Sequence, residues 1–544
     1  MTSSSQATRH ILRTLPPHWM SHFPPVVYAI AFAALVVALT ALARRLPVPT
    51  PILQVAAGLL IGLVPGVEMP HLDPDLIFFV FLPPILWAAA FFTSLREFKA
   101  NIRPIGLLAV GLVLVTTVAV AVAARAFMPG LPWAVAIALG AIVSPPDAVA
   151  AAAIVSRLPV PRRVITILEG ESLINDASAL VLYRAAVAAA VTGQFSWGAT
   201  VVHFFIDAGV GAMLGLLVSW LIIRAMRWTR DSLAETLLTI AGPYVAWVVA
   251  EQLHVSAVLA CVAGGLYLRQ HLSTAVGASS RLQTRIVWDL IVFLLNAMIF
   301  LLLGAQFSEL LSSVPKGELG SVIRTGLVVG IVSIVVRLFW VPTVQVLPRL
   351  FRSRRHRRDE APLRWKAISL VAWTSMRGIV SLASALALPF VLASGAPFPH
   401  RTELIVITMV VIVMTLVVQG LTLAPIIRAF NFAPETEHIE EEQIARLEAA
   451  RRGAEALEDA SREDWVDARD VEWLRAELRD RVRLREHPGG NPDGRRRLRA
   501  RMIRAERRML VRLRNEGAIS DEVLRELELE LDLEAVRAGL GDAR

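Results

Sequence analysis

Three carboxylates, those of Glu169, Glu171 and Asp176, lie inside one apolar stretch that runs from Ile165 to Val191. A stretch of that length crosses a lipid bilayer as a helix. An ionisable side chain at such depth costs about 2.5 kcal/mol or more, so it normally faces a protein interior or a wet cavity and marks an ion or proton path. These residue types therefore predict the binding of a proton or a small cation inside a membrane.

The helical period sorts the polar residues of this stretch by direction. Glu169, Ser172 and Asp176 are spaced so that they stack on one face of a helix. Glu171 and Asn175 share a neighbouring face. We expect the two faces to have different functions.

A second polar element, Ser144-Pro145-Pro146-Asp147, interrupts an earlier apolar stretch. Its two prolines lack backbone N–H donors and disrupt the helix ahead of an acid. The freed carbonyls can then coordinate a cation, since irregular backbone at membrane depth survives only where it is buried in protein or lines a cavity. The alternative is a simple kink in which Asp147 caps the next half-helix, and the two interpretations are compatible.

A third element is Thr374-Ser375-Met376-Arg377-Gly378, in which Arg377 lies about eleven residues beyond Lys366, or roughly 16 Å deep. A buried guanidinium cannot lose its proton and is very costly unpaired. Glu171 is the expected partner, because it lies off the Asp176 face. A pair between Arg377 and Asp176 would neutralise the site and is the arrangement to exclude.

The whole chain has the composition of a polytopic membrane protein. Of its 544 residues 55% are hydrophobic, with four tyrosines against 21 phenylalanines. The net charge of +9 comes from short basic clusters between apolar segments, which argues against a nucleic-acid surface. The single cysteine, Cys261, excludes a disulfide framework and a thiolate metal cluster. The first apolar run lacks signal-peptide polarity, so we expect it to remain as a helix.

Apolar runs long enough to span a bilayer recur along residues 1–432 and predict an all-α domain of about thirteen transmembrane helices. The fifth and twelfth runs cross in opposite directions and each is interrupted near a functional group, which predicts inverted repeats with broken crossing helices. The predicted spans are 26–43, 52–66, 75–93, 104–125, 131–154, 164–191, 198–223, 234–250, 254–270, 286–307, 320–346, 365–391 and 403–428.

Lysine and arginine fall mainly in alternate loops, the pattern that sets orientation in a membrane. It predicts a multi-pass protein of the cell membrane, plasma or inner, with the N-terminus outside and the C-terminus in the cytoplasm. The basic loops carry Arg44 and Arg45, Arg96 to Arg103, Arg157 to Arg163, Arg224 to Arg230, Arg269 to Arg285, and the dense stretch from Arg349 to Lys366.

From residue 433 to residue 544 the sequence becomes polar and rich in glutamate and arginine, with leucine at helical spacings. It predicts a cytoplasmic helical tail that self-associates or regulates the membrane domain. A solvated and partly disordered extension is an equally open interpretation. We expect Pro488-Gly489-Gly490-Asn491-Pro492 to break the tail.

The predicted chemistry follows from what one deep carboxylate can do. Asp176 can hold either a proton or a small cation but not both, and competition for one site gives obligatory exchange. Oxygen-only ligands, namely this carboxylate, the Ser172 hydroxyl and a main-chain carbonyl, suit Na⁺ rather than a transition metal. Glu169, one turn shallower, lines the cytoplasmic approach or makes an ordinary structural hydrogen bond.

Other classes of function fit fewer of these residues. Asp147 and Asp176 could mimic the carboxylate pair of an intramembrane aspartyl protease, but the expected Gly-x-Gly-Asp context is absent and Arg377 would have no role. No other catalytic motif occurs, so we expect neither enzyme activity nor a cofactor. A K⁺/H⁺ antiporter stays open as an alternative, and a cation channel would differ from a carrier by lacking saturable, pH-linked exchange.

Together these elements resemble the monovalent cation/proton antiporter family, in its NhaP and eukaryotic NHE branch, and more closely its bacterial Na⁺/H⁺ antiporters with a cytoplasmic tail. The Glu-Ser-x-x-Asn-Asp block followed by a distant Arg-Gly is a specific signal. The matching segments are Ser144 to Ala150, Leu158 to Asp176, Phe293 to Gly304 and Met376 to Gly378.

The resemblance implies alternating-access exchange of Na⁺, or of Li⁺ or K⁺, for H⁺, serving pH and sodium homeostasis. It also implies a homodimer with a moving core, at about 104–191 and 320–428, and a dimerisation scaffold formed by the remaining spans. By residue it implies ion binding and proton coupling by Asp176, Asn175, Asp147, Ser172 and the Pro146 carbonyl, and a structural ion pair between Glu171 and Arg377.

Two positions bear on ion preference and stoichiometry. Many members of the family have Thr-Asp-Pro where this chain has Pro146-Asp147-Ala148, so a hydroxyl ligand is missing and the preference among Na⁺, Li⁺ and K⁺ stays open. Asn175 beside Asp176 leaves one titrating group at the pair. This predicts one proton exchanged per cation, without net movement of charge.

Overall fold

The structure, a computed structural model, describes residues 25–46, 48–64, 78–155, 158–193, 197–229, 231–315, 317–351, 365–432, 436–463, 466–486 and 492–537. Some features discussed above lie outside these ranges. They are the segment before the first apolar run, Arg157, Arg230, most of the basic stretch between Arg349 and Lys366, and residues 488–491 of the predicted tail break.

Helices make up nearly all of the described chain. In chain order they are α1 (Pro25–Arg45), α2 (Thr50–Gly62), α3 (Leu82–Phe92), α4 (Leu95–Ala100), α5 (Ile102–Gly106), α6 (Val113–Phe127), α7 (Trp133–Val143), α8 (Ala148–Val155), α9 (Arg162–Thr192), α10 (Trp197–Thr229), α11 (Ser232–Gln252), α12 (Ala257–Ala275), α13 (Ala278–Ser312), α14 (Leu319–Phe351), α15 (Trp365–Trp373), α16 (Ile379–Leu386), α17 (Arg401–Phe430), α18 (Thr436–Ala460), α19 (Ala468–Glu486), α20 (Pro492–Asn515) and α21 (Asp521–Arg537). A π-helical segment, Leu107–Leu112, joins α5 to α6.

The predicted all-helical, multi-pass class is confirmed. Among the described residues, seven helices are long and apolar enough to cross a bilayer. They are Ile102–Phe127, Arg162–Thr192, Phe205–Thr229, Ser232–Gln252, Ala278–Leu311, Leu319–Gln345 and Arg401–Phe430, and the shorter apolar helices are Thr50–Gly62, Phe78–Phe92 and Trp133–Val143. The count of thirteen spans stays a prediction.

Two apolar runs are each divided into two helices. The four residues from Ser144 to Asp147 separate α7 from α8, where Pro145 and Pro146 cannot donate backbone hydrogen bonds. A non-helical segment, Thr374 to Gly378, separates α15 from α16. Each interruption therefore leaves backbone groups that need partners from another element.

The second divided run ends earlier than the apolar pattern predicts. α16 ends at Leu386, whereas the predicted span continues to residue 391. Pro389 lacks an N–H to continue the helix. Arg401 donates its Nε to the Leu388 carbonyl at 2.8 Å and its Nη2 to the Leu386 carbonyl at 2.9 Å. A side chain of α17 thus satisfies carbonyls that a longer helix would have used.

Two helices of the membrane unit approach each other closely at glycines. A Cβ added to Gly58 of α2 would lie 2.9 Å from the backbone nitrogen of Ala305 in α13. A Cβ added to Gly304 would lie 2.8 Å from the backbone nitrogen of Leu59. Close approach at small residues is typical of helix packing in lipid. Moving an apolar side chain from lipid into a helix interface gives little free energy, because the lipid tails are equally apolar.

The chain divides into two compact units, Met1–Pro434 and Glu435–Arg544. In the second unit α18 packs against α19, and α20 packs against α21. Its buried apolar side chains include Val471, Ile503 and Leu524. A regulatory or self-associating role for this unit stays a prediction.

We predict that Gly304→Val lowers the thermal stability of the membrane unit, because the new side chain would collide with the backbone of α2 rather than with a movable side chain. Overpacking of this kind costs about 1–3 kcal/mol. The measurement is the melting midpoint of the detergent-solubilised protein, followed by size-exclusion chromatography after heating. Gly209→Val is the matched control, since a Cβ at Gly209 meets no heavy atom within 4 Å. Equal midpoints for the two variants would contradict the close packing of α2 and α13.

Candidate functional site

The two helix interruptions meet each other inside the membrane unit. The backbone N–H of Asp147 donates to the carbonyl of Met376 at 2.7 Å. A Cβ added to Gly378 would overlap the Asp147 carboxylate and lie 2.8 Å from the Asp147 Cβ. The Arg-Gly motif therefore has a steric reason for its glycine, since the acid of the first interruption packs directly against the backbone of the second.

Arg377 joins the same crossing through main-chain oxygens. Its Nε donates to the carbonyl of Val143, the last residue of α7, at 2.6 Å. Its Nη1 donates to the carbonyl and the hydroxyl of Ser375. A guanidinium at the C-terminal end of a half-helix satisfies a freed carbonyl and complements the negative end of the helix dipole.

The predicted ion pair between Glu171 and Arg377 is wrong. Glu171 instead forms a bidentate pair with Arg337 of α14: Nη2 of Arg337 lies 2.7 Å from Oε2 of Glu171, and Nη1 contacts Oε1. The Nε of Arg337 donates to the Val371 carbonyl at 3.1 Å. The reason for the difference is that carbonyls of the helix interruptions occupy Arg377, whereas Arg337 faces α9 with its planar donors aligned to a carboxylate.

A cavity of about 580 Å³ lies along the other face of α9. Glu169, Ser172 and Asp176 line it, together with Pro146 and Asp147 of the first interruption. Glu171 and Asn175 are fully buried away from it, with 1% and 0% exposure. The two faces inferred from the helical period thus have different surroundings, one a cavity and the other packed protein.

Asn175 connects the carboxylate helix to the first interruption. Its Nδ2 donates to the Pro146 carbonyl at 3.3 Å, and its buried Oδ1 has no hydrogen-bond partner among the described residues. The Pro146 carbonyl keeps a second lone pair. Asn175 is therefore placed to hold this carbonyl in position.

The sequence reasoning did not single out several polar residues of the site. Ser381, in the first turn of α16, lines the cavity with 1% exposure, and its buried hydroxyl has no partner within the described part of the chain. Asp289 and Asn296 of α13 and Gln54 of α2 also line this cavity. Arg337 could have been found from the sequence, because it is, like Arg377, a charged residue deep inside an apolar run.

The donor set of the cavity suits a hard cation. Its charged and polar lining groups are carboxylates, hydroxyls, carboxamides and main-chain carbonyls, with no histidine or cysteine in the wall. Transition metals prefer imidazole or thiolate, whereas oxygen donors select alkali and alkaline-earth ions. No group of three or more His, Cys, Asp or Glu side chains that could hold a metal ion occurs within the ranges that the structure describes. The oxygen donors of this wall therefore suit a hard cation.

Comparisons with a family model and with individual proteins all match the same kind of protein. The family model described as "Sodium/hydrogen exchanger, transmembrane" matches residues 31–429. An uncharacterized Na⁺/H⁺ exchanger of Mycobacterium tuberculosis H37Rv is 35% identical over 525 residues, covering 94% of this chain and 96% of the relative. The sodium, potassium, lithium and rubidium/H⁺ antiporter of Bacillus subtilis is 34% identical over 387 residues, covering 69% of this chain and 57% of the relative.

A solved structure is similar in fold. The sodium proton antiporter MjNhaP1 from Methanocaldococcus jannaschii aligns with a TM-score of 0.57 at 19% sequence identity. The alignment covers 74% of this chain and 97% of that protein.

We predict that Glu171→Gln partly rescues the stability lost in Arg337→Gln and does not rescue Arg377→Gln. Removing one member of the buried pair strands the other charge at a cost of about 3–5 kcal/mol, and removing both relieves that cost. Melting midpoints of the three single and two double variants form two double-mutant cycles. Coupling of Glu171 to Arg377 and not to Arg337 would contradict the observed pairing.

Proposed function

Because the chain belongs to the sodium/hydrogen exchanger family, we propose that Asp176 is the single carboxylate at which a monovalent cation and a proton compete. The protein is a transporter and not an enzyme, and it exchanges cations for protons across a membrane. The observation that carries the proposal is the position of Asp176 on the cavity wall, beside Asp147 and with no arginine among the residues that line this cavity.

The proposed ion shell combines α9 with the first interruption. Asp176 supplies the exchanging charge, Ser172 a hydroxyl, and Pro146 a carbonyl that Asn175 holds by its hydrogen bond of 3.3 Å. Asp147 adds a second carboxylate to the same cavity. Glu169, one turn before Ser172 and nearer to Arg162 at the start of α9, lies on the proposed cytoplasmic approach.

The proposed stoichiometry is one cation per proton, which moves no net charge. Its support is that the neighbour of Asp176 is Asn175, whose amide does not titrate and whose Nδ2 already donates to a carbonyl. Asp147 is held by its backbone N–H and packs against Gly378. The proposal therefore assigns the exchanged proton to Asp176.

The proposed architecture is a pair of inverted repeats whose broken helices, α7–α8 and α15–α16, cross at the site. Their three mutual contacts, through Asp147, Arg377 and Gly378, support this arrangement. We further propose thirteen spans, a homodimer, an external N-terminus and a cytoplasmic tail. In this scheme the core at about 104–191 and 320–428 moves against the remaining spans, giving alternating access and serving pH and sodium homeostasis.

The proposed ion range includes K⁺ and Li⁺ as well as Na⁺. The first interruption offers no hydroxyl after Ser144, which bonds back to the Ala141 carbonyl at 3.1 Å. The Bacillus relative is named for sodium, potassium, lithium and rubidium. Separate additions of each ion to proteoliposomes that contain a pH-sensitive dye distinguish a sodium-selective exchanger from a broad one.

We predict that Asp176→Asn abolishes exchange while leaving the protein folded, because an amide carries neither the proton nor the charge that the cation replaces. The measurement is cation-induced proton movement in proteoliposomes, with the melting midpoint recorded for the same preparation. Asp231→Asn is the matched control, since Asp231 is an exposed cap of α11 that accepts from the Ala234 N–H, as an asparagine oxygen also can. Retained Na⁺-dependent proton movement in Asp176→Asn would remove this residue from its proposed role.

We also predict that the exchange rate does not depend on membrane potential. In proteoliposomes with the potential set by a gradient of a membrane-permeant anion such as thiocyanate, so that no K⁺ gradient drives the exchanger itself, Na⁺/H⁺ exchange should proceed at the same rate at either sign of potential. A rate that follows the imposed potential would show net charge movement and contradict the one-to-one stoichiometry, while leaving exchange at Asp176 intact.

A further inference from the structure

The arginines of one helix in the C-terminal unit fall into two groups with different surroundings. α20 has ten arginines against two acidic residues. Three of the arginines face α21 and its acidic side chains. These pairs are Arg499 with Glu534, Arg507 with Asp532, and Arg514 with Asp521.

Another five arginines form a stripe on a different side of α20. They recur every three or four residues, which aligns them along the helix, and all five are exposed. The stripe is Arg497, Arg501, Arg504, Arg508 and Arg512. It points away from Ile503, which is buried on the side that faces α21. Among the ion pairs of the described residues, none involves a member of this stripe.

An apolar edge runs beside the arginine stripe. Leu498, Met502 and Met509 are 62%, 60% and 51% exposed, although side chains of this kind are usually buried in a polar domain. They recur at helical spacings and continue the stripe around the same outward side of α20. Arginines beside exposed leucine and methionine are the pattern of a helix that lies in the interface of an anionic membrane.

We propose that this outward face of α20, the arginine stripe with its apolar edge, docks on the anionic surface of the bilayer in which the chain is embedded. The C-terminal unit that contains α20 is tethered to the membrane unit by a short linker, because only five residues separate the end of α17 from the start of α18. Tethering of this kind raises the effective concentration of the two surfaces. A second copy of the face would bring five more positive charges against the first, and nucleic acid would leave the apolar edge without a partner.

The test uses the full-length protein in nanodiscs, labelled with an environment-sensitive fluorophore at Ala505→Cys. Ala505 is exposed between the stripe and its apolar edge, and the native Cys261 is fully buried. We expect a blue-shifted, brighter signal in nanodiscs that contain phosphatidylglycerol, and not in phosphatidylcholine alone. High salt should reverse the signal, because it screens charges at a surface.

Two double variants that remove the same charge distinguish docking by this face of α20 from attraction by net charge. Arg501→Gln with Arg508→Gln should lower the docked population by about tenfold or more, since each basic residue near an anionic surface contributes to binding. Arg451→Gln with Arg452→Gln removes the same charge from exposed positions of α18 and should leave the signal unchanged.

Three outcomes would overturn the proposal. One is an equal signal in neutral and anionic lipid, which would indicate that a second copy covers the face. Another is a signal that appears only when RNA is added. The last is an equal loss in both double variants, which would indicate attraction by net charge without docking of α20.

Discussion

Backbone groups freed by a broken helix at membrane depth need partners from other protein segments or from a cavity, and this constraint explains the contacts between the two interruptions of the membrane unit. The interruption after α7 leaves the carbonyl of Val143, and Arg377 of the second interruption donates to it. The second leaves the carbonyl of Met376, and the N–H of Asp147 donates to that. Each break therefore satisfies a backbone carbonyl of the other. The requirement that backbone polar groups be paired explains why the two segments must touch.

The two buried arginines next to the site also have partners. Arg337 is bound to Glu171, and Arg377 is bound to main-chain and serine oxygens. These guanidinium groups make their contacts away from the cavity that Asp176 lines. Because both guanidinium groups are occupied elsewhere, the carboxylates of the cavity would be available to a mobile cation in the proposed exchange. One face of α9 therefore holds the fixed ion pair, and the other lines the cavity.

Much of this arrangement could be predicted from the sequence, for identifiable reasons. The helical period alone sorts Glu169, Ser172 and Asp176 from Glu171, and two adjacent prolines mark where the first helix breaks. Both inferences use local geometry. Such geometry is encoded within about one or two turns of chain.

The partner of Glu171 could not be predicted in the same way. Arg337 and Arg377 are both deep charges in apolar runs, and the choice between them depends on how α14 and α15 rotate against α9. Only the structure shows that the Val143 carbonyl occupies one of them. The glycine of the Arg-Gly motif was likewise uninformative by itself, since its role depends on Asp147, more than two hundred residues earlier. The spacing of residues along the chain does not determine how side chains on helices distant in sequence are oriented toward each other.

The hydrogen bond from Asn175 to Pro146 has a thermodynamic implication for the proposed exchange. It fastens the liganding carbonyl to the helix that carries the carboxylate, so both would travel as one body when access switches between the two sides. An ion would then meet the same ligands from either compartment. In a one-for-one exchange that moves no net charge, the direction of turnover is set by thermodynamics and not by the ligands. The ratio of the two ion gradients alone would decide which way it turns, and reversing either gradient far enough would run it backwards.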